Sequence, residues 1–160
     1  MRRFAFTFAM ILLAGVALLG AIAATRGHEP PQALVDGVTD DPGVAMILAR
    51  SCQDCHSGRT RWPWYGRMPP ASWLLNHDVK EARSHMDFSR WAKYSPDDKR
   101  QMLTEIAANI RNNEMPPGRY LLIHRDARLS ADELARLYAW TRSERRKLRA
   151  TAAGGGGDLQ

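Results

Sequence analysis

Apolar residues recur every three to four positions in four stretches of this chain, and that spacing predicts four amphipathic helices. The first follows Asp41-Pro42 and carries Val44, Ile47, Leu48 and Cys52 on one face. The second opens after Pro69-Pro70 and is expected from about Ala71 to Met86, with Trp73, Leu74 and His77 in line. Ser95-Pro96-Asp97-Asp98 announces the third, with a capping hydroxyl, Pro in the first turn and acids at the positive end of the helix dipole. Its stripe of Met102, Leu103, Ile106 and Ile110 runs to about Arg111, where Asn112-Asn113 stops it. The last begins at a capping box, Ser130-Ala131-Asp132-Glu133, and should bury Leu134, Leu137, Tyr138 and either Trp140 or Thr141 before ending near Leu148. Glu114 to Leu129 reads as a loop, and neither an alternating strand pattern nor an internal repeat is evident. The fold class expected is all-α.

A different pattern opens the chain. Arg2 and Arg3 precede an uncharged run from Phe4 to Ala24, with Ala21-Ile22-Ala23 as an A-x-A cleavage site. The run is longer than the roughly 7 to 15 apolar residues of a cleaved signal and close to the roughly 20 that span a bilayer. Residues 1–25 are therefore expected to be an export signal or a retained anchor, with everything after Arg26 delivered outside. Residues 26–39, with Pro30 and Pro31, read as a linker, 40–150 as the domain, and 151–160, with four consecutive glycines, as a disordered tail. The location expected is periplasmic, soluble after cleavage or held at the inner membrane.

The domain's candidate chemistry lies in Cys52-Gln53-Asp54-Cys55-His56. C-x-x-C-H is the attachment signature of c-type haem: two thiols on one turn each add to a haem vinyl group, and the following imidazole reaches the iron. The competing readings fit less well. A zinc site needs two more ligands, yet the chain has no second Cys pair and His77 and His85 lack finger spacing. A thioredoxin-like pair would follow a strand. A structural disulfide is the remaining alternative, and haem consumes both of the chain's two cysteines. The expected cofactor is one covalent haem c.

The iron's other ligand decides between electron transfer and chemistry at an open site. Met1 and Met10 lie in the leader, Met46 shares the first helix with Cys52, and Met102 belongs to a core stripe, which leaves Met68, Met86, Met115, His77, His85 and His124. Met115 is favoured because it follows a helix end and precedes Pro116-Pro117, which stiffen the strand that must carry a ligand across the haem. His77, His124 and an open site stay as alternatives. Trp62-Pro63-Trp64-Tyr65 is too rich in rings for a solvated loop, so a haem edge or core packing must cover it. Trp73, Trp91, Arg83, Arg119 and Tyr120 are candidate donors to the haem propionates.

The formal charge of +6 is scattered and not interleaved with aromatics, which argues against nucleic acid. Only Arg142, Arg145, Arg146, Lys147 and Arg149 concentrate it, favouring a helix C-terminus first and an acidic redox partner or anionic membrane second.

Cys52-x-x-Cys55-His56-Ser57, Trp62-Pro63-Trp64-Tyr65, Pro70-x-Ser72-Trp73, Asp78-x-x-Glu81-x-Arg83, Phe88-Ser89-x-Trp91, Glu114-Met115-Pro116 and Tyr120-Leu121-Leu122-x-His124 together resemble the bacterial monohaem haem-binding domain family of exported cytochrome-like proteins. The resemblance runs from about Ala45 to Trp140 and implies a cytochrome c-like helical domain with covalent haem. It places the family's Glu-Met-Pro element on Glu114, Met115 and Pro116. Ala82 and Met86-Asp87 depart from its pattern, where Gly and Leu-Asn are usual. The function expected is electron transfer with a protein redox partner; the alternative is a haem enzyme or gas sensor with an open or displaceable distal site.

Overall fold

The computed structural model describes residues 8, 10–15, 18 and 37–154. Two compact units separate, Met1–Pro30 and Pro31–Gln160. In the first, the described residues are helical and exposed. Among the described residues no helix is long and apolar enough to cross a membrane. Most of the expected signal or anchor, most of the linker and residues 155–160 lie outside the described residues.

The second unit is all-α, with no strand among the described residues. Its helices are α1 (Pro42–Ser51), α2 (Gln53–His56), α3 (Ala71–His85), α4 (Pro96–Arg111), α5 (Gly118–Leu121) and α6 (Ala131–Gly154), with 3-10 turns at Trp64–Arg67, Phe88–Lys93 and Arg125–Ala127. The starts are chemically built. Asp41 Oδ1 accepts from the amides of Gly43 and Val44 at 2.8 and 3.1 Å, with Pro42 in the first turn. Ser95 and Asp98 exchange the two bonds of a capping box on α4, and Ser130 and Glu133 do the same on α6.

α4 and α6 pack along each other, and α1 lies against α6. Val44, Ile47 and Leu48 of α1, Leu103 and Ile110 of α4, and Leu137 and Trp140 of α6 form one buried cluster with Phe88 and Trp91 from the Phe88–Lys93 turn. Each fully buried large side chain there contributes roughly 1.5–3 kcal/mol. This places the core on one part of the molecule and leaves α2, α3 and α5 as thinner elements around the motif.

The structure departs from the sequence expectation in four places. The first helix ends at Cys52, whose backbone (φ −129°, ψ −37°) turns the chain before α2 begins, so the motif sits on its own short helix. The expected Glu114–Leu129 loop contains α5 and a 3-10 turn. The last helix continues past Leu148 to Gly154, because Ala150, Ala152 and Ala153 are strong helix formers. Met46, grouped with core methionines by its position on α1, is 69% exposed, since Val44, Ile47 and Leu48 define the buried face.

Candidate functional site

The motif is set by backbone bonds that gather its three candidate side chains onto one turn. The Cys52 carbonyl accepts from the amides of Cys55 (3.3 Å) and His56 (3.0 Å), while the Cys52 amide closes α1 on Leu48. Both thiols are free. Burial pushes the Cys52 thiol up to about 12, with Cys55 adding to the shift, and burial pushes Cys55 up to about 11, helped by Asp54 and Asp78. Both are therefore neutral S–H groups near pH 7 rather than thiolates. That is not the reactive thiolate of a thioredoxin-like pair, and no strand precedes the motif among the described residues. Nor do those residues contain a cluster of three or more His, Cys, Asp and Glu placed to hold a metal ion.

His56 is held by the fold itself. Its Nδ1 lies 3.1 Å from the Met86 carbonyl, and Phe88 packs beside the ring at 6.2 Å between centroids. Burial lowers the His56 pKa, against the opposing pull of that carbonyl. A neutral imidazole donating from Nδ1 keeps the Nε2 lone pair for an iron, the arrangement by which metal-ligating histidines are oriented.

Asp54, between the cysteines, accepts two bonds from Arg61, at 3.1 Å from Nε and 2.7 Å from Nη2, and a third from the Arg61 amide at 3.1 Å. The Asp54 carbonyl accepts from Thr60 at 2.6 Å, and Thr60 accepts from Arg83 of α3 at 2.8 Å. Bidentate pairing of this kind adds geometric specificity as well as energy. It clamps the chain after the motif onto α2 and α3. Arg83 Nε is buried without a partner.

The segment that follows Met115 returns toward the motif, while Met115 itself is tied by its amide to the end of α4. The amides of Glu114 and Met115 both donate to Asn109 at the end of α4, and Asn113 takes a left-handed conformation (φ 57°) that reverses the chain. Beyond it, Arg119 Nη2 contacts both carboxylate oxygens of Asp78 on α3 at 3.0 Å. Tyr120 lies near Asp54, Cys55 and Arg61, and burial raises its pKa. His124 is bonded through Nε2 to the Tyr65 hydroxyl at 2.6 Å and stacks on Tyr120 at 4.2 Å and 15°.

After the motif in sequence, the domain leaves large apolar groups in solvent. Trp62, Trp64 and Met68, then Trp73 and Leu74 on α3, then Met115, Leu122 and Ile123 are all exposed, Trp73 at 70% and Met115 at 37%. On α3 only Val79 is buried, so the Trp73 stripe that reads as an ordinary helix face is turned away from the core. A haem fits these residues: two neutral thiols on one turn, an imidazole whose Nδ1 is turned to a backbone carbonyl, exposed rings on the segments after the motif and a buried unpaired guanidinium nitrogen.

Of the sixth-ligand candidates, several have other work. Met86 is buried in the core, His85 pairs with Glu81 at 3.2 Å, and His124 holds Tyr65. Met68, His77 and Met115 are exposed. Trp91, a candidate propionate donor from sequence, is a core residue packed against Phe88 and Tyr94, with Lys99 over its face. The Tyr65–His124 contact, 59 residues apart, was not visible in sequence. The only signal for it was the shared richness of both segments in rings.

A family model described as a haem-binding domain matches residues 13–143. The chain is 26% identical over 105 residues to a cytochrome c peroxidase of Escherichia coli strain K12, across 64% of this chain and 23% of that protein. It thus spans about a quarter of that relative's length. No solved structure matches.

Proposed function

The chain belongs to the haem-binding domain family and is a haem protein, and from that premise we propose that it is an exported monohaem c-type cytochrome that transfers electrons. Cys52 and Cys55 would hold one haem through two thioethers, each S–H adding across a vinyl group with the sulfur on one carbon and the proton on the other. His56 would supply the proximal iron ligand and Met115 the distal one. Bound haem supplies the one-electron iron couple, and methionine ligation raises its potential relative to a bis-His site.

The observation that supports this reading best is the His56 Nδ1 bond to the Met86 carbonyl, which presents Nε2 one residue after the second thiol. The chain's own residues do the rest. Phe88 packs beside the imidazole, Asp54 and Arg61 hold the motif's exit, and the exposed rings at Trp62, Trp64 and Trp73 would be free to cover a bound macrocycle.

Mass spectrometry of the full chain made in a host with haem-attachment machinery tests the cofactor: one haem mass is expected, and none in the Cys52→Ser, Cys55→Ser variant. Met115→Ala should abolish the six-coordinate low-spin spectrum and lower the potential; an unchanged spectrum and potential would move the ligand to His77 or elsewhere. Recovery in the osmotic-shock fluid or in the membrane fraction distinguishes a cleaved signal from a retained anchor, and a cytoplasmic pool would overturn export.

The likeness to a peroxidase favours a second reading, a haem enzyme in which Met115 is displaced. Carbon monoxide binding under native conditions together with peroxide turnover would select it.

A further inference from the structure

Tyr65, Tyr120 and His124 form a polar aromatic group that neither haem attachment nor iron ligation uses. The Tyr65 hydroxyl lies 2.6 Å from His124 Nε2, a short bond for a phenol facing an imidazole. With the ring proton on Nδ1, the phenol donates and Nε2 accepts. Against a face of the imidazole Tyr120 stacks at 4.2 Å and 15°. On the other side of Tyr65, Trp64 meets it edge-on at 5.8 Å and is 60% exposed. Tyr120 at the inner end lies near Cys55. Tyr120, His124, Tyr65 and Trp64 are therefore successive neighbours that end at solvent, and Tyr65 is the tyrosine in the series whose hydroxyl is bonded to a base.

We propose that Tyr65 and His124 form a proton-coupled oxidation site that intercepts one-electron oxidants of the peroxide-derived radical class beside the motif. The oxidant takes one electron from the Tyr65 phenol and is reduced to its anion. In the same step the phenolic proton crosses to Nε2 of His124, leaving a neutral tyrosyl radical and an imidazolium. The Tyr120 face stabilises that cation, since a cation within about 6 Å of a ring centroid is attracted by its quadrupole. A one-electron reductant of the ascorbate class restores the pair: it returns the electron to Tyr65, and His124 returns the proton. Burial raises the pKa of Tyr65, so phenolate is not the species oxidised and the base is required.

The test uses the ferric, haem-loaded full chain with photogenerated ruthenium(III) tris(bipyridine) as oxidant and freeze-quench electron paramagnetic resonance as readout. A tyrosyl signal is expected, absent in Tyr65→Phe and retained in Tyr94→Phe and Tyr120→Phe. His124→Phe keeps a ring for Tyr120 to stack on and removes the base, and should slow radical formation by about 10²-fold, the scale of a lost general base. In wild type the step should run slower in D2O than in H2O. An undiminished radical in Tyr65→Phe, or equal rates in the two solvents, overturns the proposal, and the solvent comparison decides it alone if His124→Phe loses its helix content. The oxidant is external, so a protein lacking covalent haem would defeat the cytochrome reading while leaving this outcome to be read by itself.

Discussion

Glu133 joins the start of α6 to the helix that leads into the motif, and its loss has a calculable cost. Its Oε1 pairs with Arg50 Nη1 at 2.8 Å, its Oε2 accepts from the Ser130 amide at 2.8 Å, and Arg50 also reaches the Arg128 carbonyl at 3.4 Å. Hydrogen bonding to Arg50, with help from Ser130, holds the Glu133 carboxyl at about 2 rather than its ordinary 4.5. A displacement of that size corresponds to about 3 kcal/mol. Both side chains keep about a quarter of their surface in solvent, 28% and 23%, and screening reduces the net value to about 1–2 kcal/mol. Glu133→Gln keeps an acceptor for the Ser130 amide and loses the charge, so it should cost that amount at pH 7. Glu133→Ala removes the cap as well, adding about 1 kcal/mol. The sign with pH follows from the lowered value. The stabilisation is complete above about 4.5, where the unfolded carboxyl is ionised too, and is lost as pH falls toward about 2. Urea unfolding followed by helical circular dichroism at pH 7 and pH 3 measures this. The gap between wild type and Glu133→Gln should shrink by more than half at pH 3. A gap that is zero at pH 7, or equal at both values, refutes the reasoning.

Other substitutions separate the core from the motif's surroundings. Phe88→Ala opens a cavity under the His56 ring and should cost about 3–5 kcal/mol in the same unfolding assay. Ser95→Ala breaks the α4 capping box and should cost about 1 kcal/mol without altering the haem spectrum. Arg119→Ala cuts the exposed tie to Asp78; global stability should change by less than about 1 kcal/mol, while limited proteolysis within residues 114–127 should quicken. An unchanged cleavage rate there would show that the segment is held by other contacts.

The helices bearing most of the core were readable because their starts are written in side chains: Ser95 with Asp98, Ser130 with Glu133, Asp41 with Pro42. Leu103, Ile110, Leu137 and Trp140 keep their helical spacing on the buried face. The motif's residues were equally plain, since C-x-x-C-H is contiguous. What spacing does not encode is where a helix face points once neighbours are in place. Trp73 and Leu74 have the periodicity of a core stripe and are exposed, because α3 sets only Val79 inward. The break at Cys52 and the short α5 lie beside ties to Asp54, Thr60 and Asp78 that join residues 6, 7 and 41 positions apart, beyond the reach of helical spacing. The partner of His56 had no residue signature at all, because any residue at position 86 brings a carbonyl.

That last bond carries an evolutionary consequence. Its acceptor is main chain, so no side-chain substitution deletes it, and the tautomer of His56 is inherited from the path of the backbone rather than from a residue that selection could swap. Residue 86 caps the end of α3, its amide donating to Ala82, and two positions later Phe88 is fully buried in the core. Drift in this lineage can therefore change the tautomer of His56 only by moving the chain between α3 and Phe88, and every such movement is charged against the stability of the domain.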